Sequence, residues 1–227
     1  MSIMKMLFNQ NNRQMDDSLS WKKYPHHHKW FDKLSVAESF GYTCGPCGVA
    51  PDRSDEYIVR PIYNLSGMGV GATIKHIQKG DTTQVPPGYF WCEILTGRHF
   101  SATFEYVDDE FFPYWKCLHC YEGFNRKEVL SEFYKWIRVK ESPKLPRNFL
   151  ELKDVGVINV EFKGNNPIEV HLRPTPDPLY SELIPIWKRD TQKTVDKYLE
   201  MGYSYCMSYD DADTFLDNPR IGFMVKE

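Results

Sequence analysis

The sequence lacks long hydrophobic runs and a strongly basic composition. No apolar stretch in its 227 residues approaches the roughly 18 residues that a membrane-spanning helix needs. Lysine and arginine number 28 against 31 for aspartate and glutamate, so the formal net charge is −3, which argues against a nucleic-acid binder that relies on a basic surface. The N-terminal stretch turns polar early and holds no signal-peptide core. We therefore expect a soluble, cytoplasmic protein that does not associate with membranes.

Internal repeats and low-complexity tracts are also absent, which excludes solenoids and disordered linkers as the main architecture. Helical spacing of apolar residues predicts helices over 29–40, 127–139 and 191–201. Alternation predicts strands between them, and two strands are joined by the short turn 163–167. Because helices and antiparallel strands intermix, the predicted fold class is α+β.

The predicted domain organisation has three parts. An N-terminal segment, 1–50, carries one helix and a Cys-Gly-Pro-Cys loop, and we expect residues 1–25 to be a loosely ordered lead-in. A glycine-loop subdomain follows over 51–95. The remainder, 96–227, holds a polar hairpin and an α/β tail.

The polar hairpin is the most informative pattern. Side chains alternate faces along a strand, so Glu169, His171 and Arg173 share one face, and Asn159 and Glu161 share a face of the partner strand. Carboxylates brought this close repel unless a cation lies between them, and Mg²⁺ prefers oxygen ligands. Arg173 would neutralise a transferred phosphoryl group. The alternative is an ordinary hairpin with a solvated polar face.

A glycine loop, Gly67-x-Gly69-x-Gly71, follows an earlier predicted strand. Glycines allow backbone N–H groups to approach phosphate oxygens closely. The loop is not a P-loop, because no Gly-Lys-Ser/Thr ends it, and its spacing differs from the dinucleotide-binding fingerprint. An ordinary hairpin turn would explain it equally well.

In this order, the motifs resemble those of the ATP-grasp superfamily, over roughly residues 29–180. The segments that carry the resemblance are Asp32-Lys33 with Gly41, Val59-Arg60-Pro61-Ile62, Gly67 to Gly71, a hinge strand Trp91 to His99 with Glu93, and the hairpin pair Asn159-Val-Glu161 and Glu169-Val-His-Leu-Arg173. The resemblance implies an ATP-grasp-like α+β fold, in which two subdomains with antiparallel sheets sandwich a nucleotide.

The resemblance also implies roles for individual residues. Lys33 and Arg60 would contact the α- and β-phosphates of ATP. The loop backbone at Gly67, Met68, Gly69 and Gly71 would contact the β- and γ-phosphates. Glu93, with the backbone of Ile94 and Leu95, would contact the adenine. Mg²⁺ would be bound by Glu161, Glu169 and His171, and Arg173 would be the catalytic residue at the γ-phosphate or acylphosphate.

The implied activity is ATP-dependent ligation, in which a small-molecule or peptide carboxylate becomes an acylphosphate and an amine or related nucleophile displaces phosphate. Three features depart from the family pattern: Arg60 stands where lysine is usual, His171 stands where asparagine is usual, and the N-terminal α/β domain is reduced to about 50 residues. A partner chain or homo-oligomer could supply the missing domain. The alternative is a zinc-stabilised interaction protein of the same shape without turnover.

The cysteines allow two further interpretations. Cys44-Gly-Pro-Cys47 matches the thioredoxin tetrapeptide, which would suit a thiol–disulfide oxidoreductase if Cys44 began a helix. Together with Cys117-Leu-His-Cys120 it could instead close a structural zinc site. A third interpretation treats both pairs as ordinary buried thiols.

Three further groups are expected to lack a functional role. Cys92 and Cys206 lie in apolar strands and should be core residues. The run of three histidines at 26–28 is expected on the surface. Arg98 and His99 are expected in a solvent-facing turn.

Overall fold

The computed structural model describes residues 16–63, 71–125, 130, 132–207 and 220–227. Within these ranges the α-helices are α1 (Asp17–Lys23), α2 (Lys33–Ser39) and α3 (Gln192–Glu200), and 3₁₀-helices span Pro25–Trp30 and Arg147–Leu152. The strands are β1 (Cys44–Pro46), β2 (Asp55–Pro61), β3 (Thr73–Ile77), β4 (Tyr89–Glu93), β5 (His99–Val107), β6 (Tyr114–Asn125), β7 (Phe133–Val139), β8 (Val157–Lys163), β9 (Asn166–His171), β10 (Glu182–Trp187), β11 (Ser204–Cys206) and β12 (Arg220–Lys226). None of the described helices has the length and apolar character needed to cross a bilayer.

The strands form two antiparallel sheets. The smaller sheet has four strands in the order β1-β4-β2-β3, and the larger has eight in the order β11-β12-β10-β7-β6-β5-β8-β9. Every pairing among these described strands is antiparallel. The α+β class predicted from the sequence is confirmed.

Alternation along β5, β8 and β9 gives the large sheet one apolar and one polar face. The apolar face joins aromatic residues of the N-terminal helical segment and the second 3₁₀-helix in one buried cluster, whose members include Trp30, Phe100, Phe104, Phe149, Ile158, Val160, Phe162, Val170 and Leu172. The residues between these on the strands project from the opposite face. That face carries the charged side chains of the predicted hairpin.

Helix α2 connects the two sheets. It packs against β9 of the large sheet and β1 of the small one. Its N-cap is Asp32, whose carboxylate accepts a hydrogen bond from the Ser35 amide at 2.8 Å. The backbone N–H of Lys33 donates to the carbonyl of Ile62 at 3.0 Å, just beyond the end of β2. The first residue of α2 is therefore fixed between the sheets.

The helix predicted over 127–139 is wrong where the structure describes it, because Phe133–Val139 forms strand β7. The ladder with β6 shifts register by one residue between Phe124 and Asn125. Because of this bulge, side chains no longer alternate strictly between the two faces of the sheet, and Phe133 and Trp136 lie on the same face. Their rings are 4.4 Å apart and both cover Gly123. A bulged strand therefore produced the three-residue spacing that otherwise indicates a helix.

The N-terminal segment is also more ordered than the sequence predicts. Instead of one helix, the described part of residues 1–50 contains α1, a 3₁₀-helix and α2. Asp17 and Ser20 of α1 are buried, although residues 1–25 are expected to be a loose lead-in. The buried carboxylate of Asp17 contacts His171 and Arg173, so α1 is docked through specific polar partners as well as through apolar area.

Candidate functional site

Both sheets line a cleft with a volume of about 190 Å³. The structure brings together in this cleft six of the residues that the sequence predicts for a nucleotide and metal site: Lys33, Arg60, Glu161, Glu169, His171 and Arg173. They come from α2, β2, β8 and the end of β9. The predicted glycines Gly67 and Gly69, and Met68 between them, lie outside the described residues.

The hairpin of β8 and β9 sets its predicted polar residues opposite one another. Glu161 lies opposite Glu169, and Asn159 lies opposite His171. The amide nitrogen of Asn159 lies 3.2 Å from the Ser101 hydroxyl and 3.2 Å from that of Thr103, both on β5. These contacts with the neighbouring strand β5 fix the position of Asn159 on the polar face.

Lys33 pairs with one of the two carboxylates. Its Nζ lies 3.0 Å from Oε2 of Glu169, and both side chains are almost fully buried. A buried ammonium and carboxylate compensate each other only when they are in contact, so this pair is held together strongly. The pair also joins α2 to β9.

Asp17 contacts two of the predicted site residues, and the sequence analysis missed it. Both of its carboxylate oxygens lie 3.1 Å from Nδ1 of His171, and Nη2 of Arg173 donates to Oδ2 at 2.9 Å. Burial raises the pKa of Asp17, but the adjoining His171 and Arg173 charges outweigh it and hold that pKa well below its usual range. Nothing in the sequence near α1 indicates this role, because the partners lie more than 150 residues away.

The surroundings of His171 favour its protonated form. Burial lowers its pKa, yet the Asp17 carboxylate more than offsets this effect, and the net result is a raised pKa. Its other ring nitrogen, Nε2, lies 3.8 Å from Oε1 of Glu169. His171 thus lies between two carboxylates, those of Asp17 and Glu169.

His99 pairs with the second carboxylate. Its Nε2 lies 3.3 Å from Glu161, and its ring packs against Phe133 at 4.6 Å. Burial raises the pKa of Glu161, but His99 first, and then the charges of His171 and Lys33, lower it to about 2. The expectation of a solvent-facing turn is wrong for His99, which is buried, whereas Arg98 is exposed and pairs with Glu122.

Arg60 is the one charged group that the small sheet presents to this cleft among the described residues. Its guanidinium lies 5.1 Å from the centroid of the Phe90 ring, and its Nε has no hydrogen-bond partner. Burial lowers the pKa of Arg60, and the charge of Glu169 offsets this only in part. A buried donor without an acceptor is costly, and an anionic ligand would remove that cost.

Gly71 is the one described member of the predicted glycine loop. Its φ is +84°, a value that favours glycine. A Cβ atom there would lie 2.7 Å from the Tyr89 hydroxyl. Gly71 therefore permits a close approach of the chain beside the cleft.

The predicted adenine contacts do not line the cleft. The carboxylate of Glu93 accepts a hydrogen bond from the Thr43 amide at 2.7 Å, which ties β4 to the chain before β1. Ile94 is exposed and Leu95 lies beside it at the end of the strand. An adenine role for Glu93, Ile94 and Leu95 stays a prediction.

The predicted four-cysteine zinc site is wrong. Cys44 and Cys47 belong to the small sheet and the turn after it, whereas Cys117 and Cys120 lie on β6 of the large sheet. In the part of the chain that the structure describes, the one group of potential metal ligands within mutual reach is His26, His27 and Asp154. The two C-x-x-C pairs are too far apart in the fold to share an ion.

The thiols also lack activation. Burial, followed by the charges of Glu38 and Glu93, raises the pKa of Cys44 to about 11, and Cys44 begins a strand rather than a helix. Burial raises the pKa of Cys120 to about 12. Because the thiolate is the reactive form, this environment does not suit a thiol–disulfide oxidoreductase. Cys92 is a core residue, as predicted.

The three predicted magnesium ligands do not form a ready-made ligand group among the described residues. Lys33 forms an ion pair with Glu169, and the His99 ring lies against Glu161. The donor set nevertheless fits Mg²⁺, since two carboxylates face each other across neighbouring strands. Binding would require both carboxylates to exchange their present partners for the ion.

Comparisons with known proteins show which fold this is. No model of a protein family matches the sequence, and no curated protein matches it. Among solved structures, N5-carboxyaminoimidazole synthetase from Staphylococcus aureus complexed with ADP is similar, with 14% identity, a TM-score of 0.53, and coverage of 88% of this chain and 68% of that one. The chain has an ATP-grasp-like fold, as the sequence predicts.

Two further structures are similar at lower scores. A protein from Archaeoglobus fulgidus assigned to the ATP-grasp superfamily has 12% identity and a TM-score of 0.43, with coverage of 88% of this chain and 65% of that one. An L-amino acid ligase from Bacillus licheniformis has 14% identity and a TM-score of 0.42, with coverage of 64% and 41%. The chain thus spans about two thirds or less of the length of these proteins.

Proposed function

We propose that the cleft binds ATP with Mg²⁺ and that the chain is an ATP-dependent ligase. In the proposed reaction a carboxylate substrate is activated as an acylphosphate, and an amine or related nucleophile then displaces phosphate. The observation that carries the proposal is the convergence of Lys33, Arg60, Arg173 and two facing carboxylates in one cleft. An ATP-grasp-like fold with bound ADP in a similar structure supports the nucleotide part.

The charge of the cleft favours a polyanion. Five lysine and arginine residues line it against three carboxylates, although the whole chain is net negative: Lys33, Arg60, Lys163, Arg173 and Arg220 against Glu161, Glu169 and Asp177. Cations in a partly dehydrated site attract phosphate more strongly than they would in water. Arg60 and Lys33 are therefore proposed to hold phosphate oxygens.

Glu161 and Glu169 are proposed to hold Mg²⁺, which would supply charge neutralisation at the phosphates. The low pKa of Glu161 keeps that carboxylate ionised and available as a ligand. Phosphate would attract Lys33 away from Glu169, so ligand binding and release of that carboxylate are coupled in this proposal. His171 is proposed either as a third ligand or, with its raised pKa, as a further positive charge.

Arg173 is proposed to stabilise negative charge on the transferred phosphoryl group. Asp17 holds its guanidinium by two contacts, at Nε and Nη2, and so fixes its orientation in the wall of the cleft. Preorganised charge of this kind contributes more to a phosphoryl transfer than a flexible surface arginine. Asp17 is thus a positioning residue in the proposed reaction.

The test of nucleotide binding is thermal unfolding with Mg²⁺-ATP, with ATP in a chelator, and with Mg²⁺ alone. A ligand at about 100 times its dissociation constant stabilises by about 2.7 kcal/mol, which raises the melting temperature of a chain of this size by several degrees. We expect that rise in the wild type with Mg²⁺-ATP. We expect Glu169→Gln and Glu161→Gln to lose it.

The matched control is Glu182→Gln. Glu182 also pairs with a lysine, Lys135, at 2.7 Å in the large sheet, but it does not line the cleft. This variant should keep the full nucleotide response. An equal response in all four proteins, or no response in the wild type, would contradict the proposed site.

Catalysis needs a separate measurement of phosphate release across a panel of carboxylates and amines. An alternative function is a binding module with this fold but without turnover, and it is favoured by the present pairing of both carboxylates with the side chains of Lys33 and His99. Nucleotide-dependent stabilisation without phosphate release for any pair of substrates would support that alternative.

A further inference from the structure

Two neighbouring histidines near the N-terminus reach the same distant aspartate. Nε2 of His26 lies 3.1 Å from one carboxylate oxygen of Asp154, and Nε2 of His27 lies 2.8 Å from the other. His26 is exposed and His27 is buried, so the expectation of a fully exposed histidine run is only partly correct. The cluster lies outside the cleft and takes no part in the function proposed above.

A local break in the 3₁₀-helix makes this convergence possible. Consecutive side chains of a regular 3₁₀-helix point about 120° apart, which would separate two adjacent rings. His27 departs from helical geometry, with φ −109° and ψ 15°, and the two ring centroids lie 4.4 Å apart. The two imidazole nitrogens and a carboxylate oxygen all lie within 4.8 Å of one another.

We propose that His26, His27 and Asp154 bind a divalent transition metal such as Zn²⁺. Imidazole nitrogen favours zinc, nickel, copper or cobalt over Mg²⁺ or Ca²⁺, which prefer oxygen ligands. Three protein ligands leave the fourth tetrahedral position for water. The metal takes the place of the protons that now lie between the two Nε2 atoms and the carboxylate.

Other contacts hold the ligands close without an ion. Nζ of Lys29 lies 2.8 Å from Glu151, and the Tyr24 hydroxyl donates to the carbonyl of Val155 at 3.4 Å. These contacts join the same two segments on either side of the histidine pair. The ligands are thus pre-positioned, and less ordering entropy opposes binding.

The exposure of His26 gives an ion access from solvent. His26 is 63% exposed at its side chain, and the Asp154 side chain is 47% exposed. The neighbouring ammonium of Lys29 is already neutralised by Glu151 and leaves the approach open to a cation. The bound ion would clamp the N-terminal segment, which carries Asp17 and Lys33, onto the turn that precedes β8.

The experiment is titration of the full-length protein with Zn²⁺ against a chromophoric chelator, and with Co²⁺ followed by its absorption spectrum. The wild type should bind one equivalent of each metal. Loss of a partner that only orients a ligand already costs about 10- to 100-fold in affinity, so His26→Ala and Asp154→Asn should each weaken binding by at least about 10-fold. The control, His76→Ala, removes an exposed histidine of β3 and should bind as the wild type does.

Co²⁺ distinguishes the six free cysteines from the histidine site. A bound-cobalt spectrum without a sulfur-to-metal charge-transfer band supports the proposal, and a strong band of that kind overturns it. Unchanged affinity in His26→Ala, or no binding by the wild type, also overturns it. Because His26 is exposed, that variant decides the question even if Asp154→Asn fails to fold.

Discussion

The two walls of the cleft differ in how their charges are satisfied. On the large sheet, Glu161, Glu169 and His171 each face a group of opposite charge from another element. On the small sheet, Arg60 stands over an aromatic ring and its Nε has no partner among the described residues. The charged groups of the large-sheet wall have ion-pair partners, although Nε2 of His99 and Nε of Arg173 make no hydrogen bond. The guanidinium of Arg60 has no ion-pair partner among the described residues, which is the property expected of a ligand-binding group.

The largest loss of stability should follow from removing the Asp17 carboxylate, which pairs with His171 and Arg173 of the large-sheet wall. Asp17→Ala leaves the charges of His171 and Arg173 buried without their counter-ion, and loss of one partner of a buried pair costs about 3–5 kcal/mol. The free energy of unfolding in urea measures this loss. The control is Asp16→Ala at the neighbouring position, where the carboxylate caps α1 through the Leu19 amide and its loss should cost only about 1 kcal/mol. Equal losses in the two variants would contradict the comparison.

A substitution at Arg60, on the small-sheet wall, should raise the free energy of unfolding rather than lower it. Arg60→Met removes a buried donor that lacks an acceptor, and we expect the free energy of unfolding to rise by about 1 kcal/mol. The stabilisation by Mg²⁺-ATP should disappear in the same variant. Arg220→Met is the comparison, because Arg220 pairs with Asp177 at 2.9 Å and its loss should destabilise the protein. If Arg60→Met is the more destabilising of the two, Arg60 is part of the fold's own network.

A smaller effect is expected in the pH dependence of the free energy of unfolding. The raised pKa of His171 means that its contribution to stability is fully present below the unfolded-state pKa of about 6.5 and is lost as pH rises through the folded-state value. The free energy of unfolding should therefore fall as the pH rises above about 6.5. His171→Gln should flatten that slope. The buried thiols, whose pKa values are also raised, add to this fall only as the pH approaches their unfolded-state pKa of about 8.5. An unchanged slope in His171→Gln would contradict the raised pKa of this histidine.

The smallest change in stability should come from Cys47→Ser. Cys47 is exposed and shares no metal site with the other cysteines that the structure describes. Substitutions at such surface positions usually change stability by less than about 0.5 kcal/mol. Urea unfolding and metal content should match those of the wild type. A clear loss of either would restore a structural or redox role for the Cys-Gly-Pro-Cys segment.

The sequence predicts much of the cleft because its key residues lie on local patterns. Glu161, Glu169, His171 and Arg173 alternate along two strands joined by a short turn, so their common face follows from strand geometry alone. The α+β class follows in the same way from short strands separated by turns. These predictions depend on contacts between residues that are close in the chain.

Contacts between distant segments could not be predicted in this way. Asp17 and His99 are isolated residues whose partners depend on how α1 and β5 dock against the hairpin. The two C-x-x-C pairs share a motif spacing, but the fold places them on different sheets. The spacing in 133–137 fits a helix and a bulged strand equally well, and only pairing with β6 decides between them.

The position of Asp17 in the chain has a consequence for the order of folding. Its hydrogen bond to His171 spans 154 residues, whereas β5 with β6 and β8 with β9 pair across short connections. Closing a long loop costs more chain entropy than closing a hairpin, so the sheet can form first and α1 can dock afterwards. During synthesis Asp17 leaves the ribosome well before its partners exist. The cleft is therefore completed only after Arg220, which also lines it, has emerged. Refolding should restore ligand binding later than it restores the β-sheet signal.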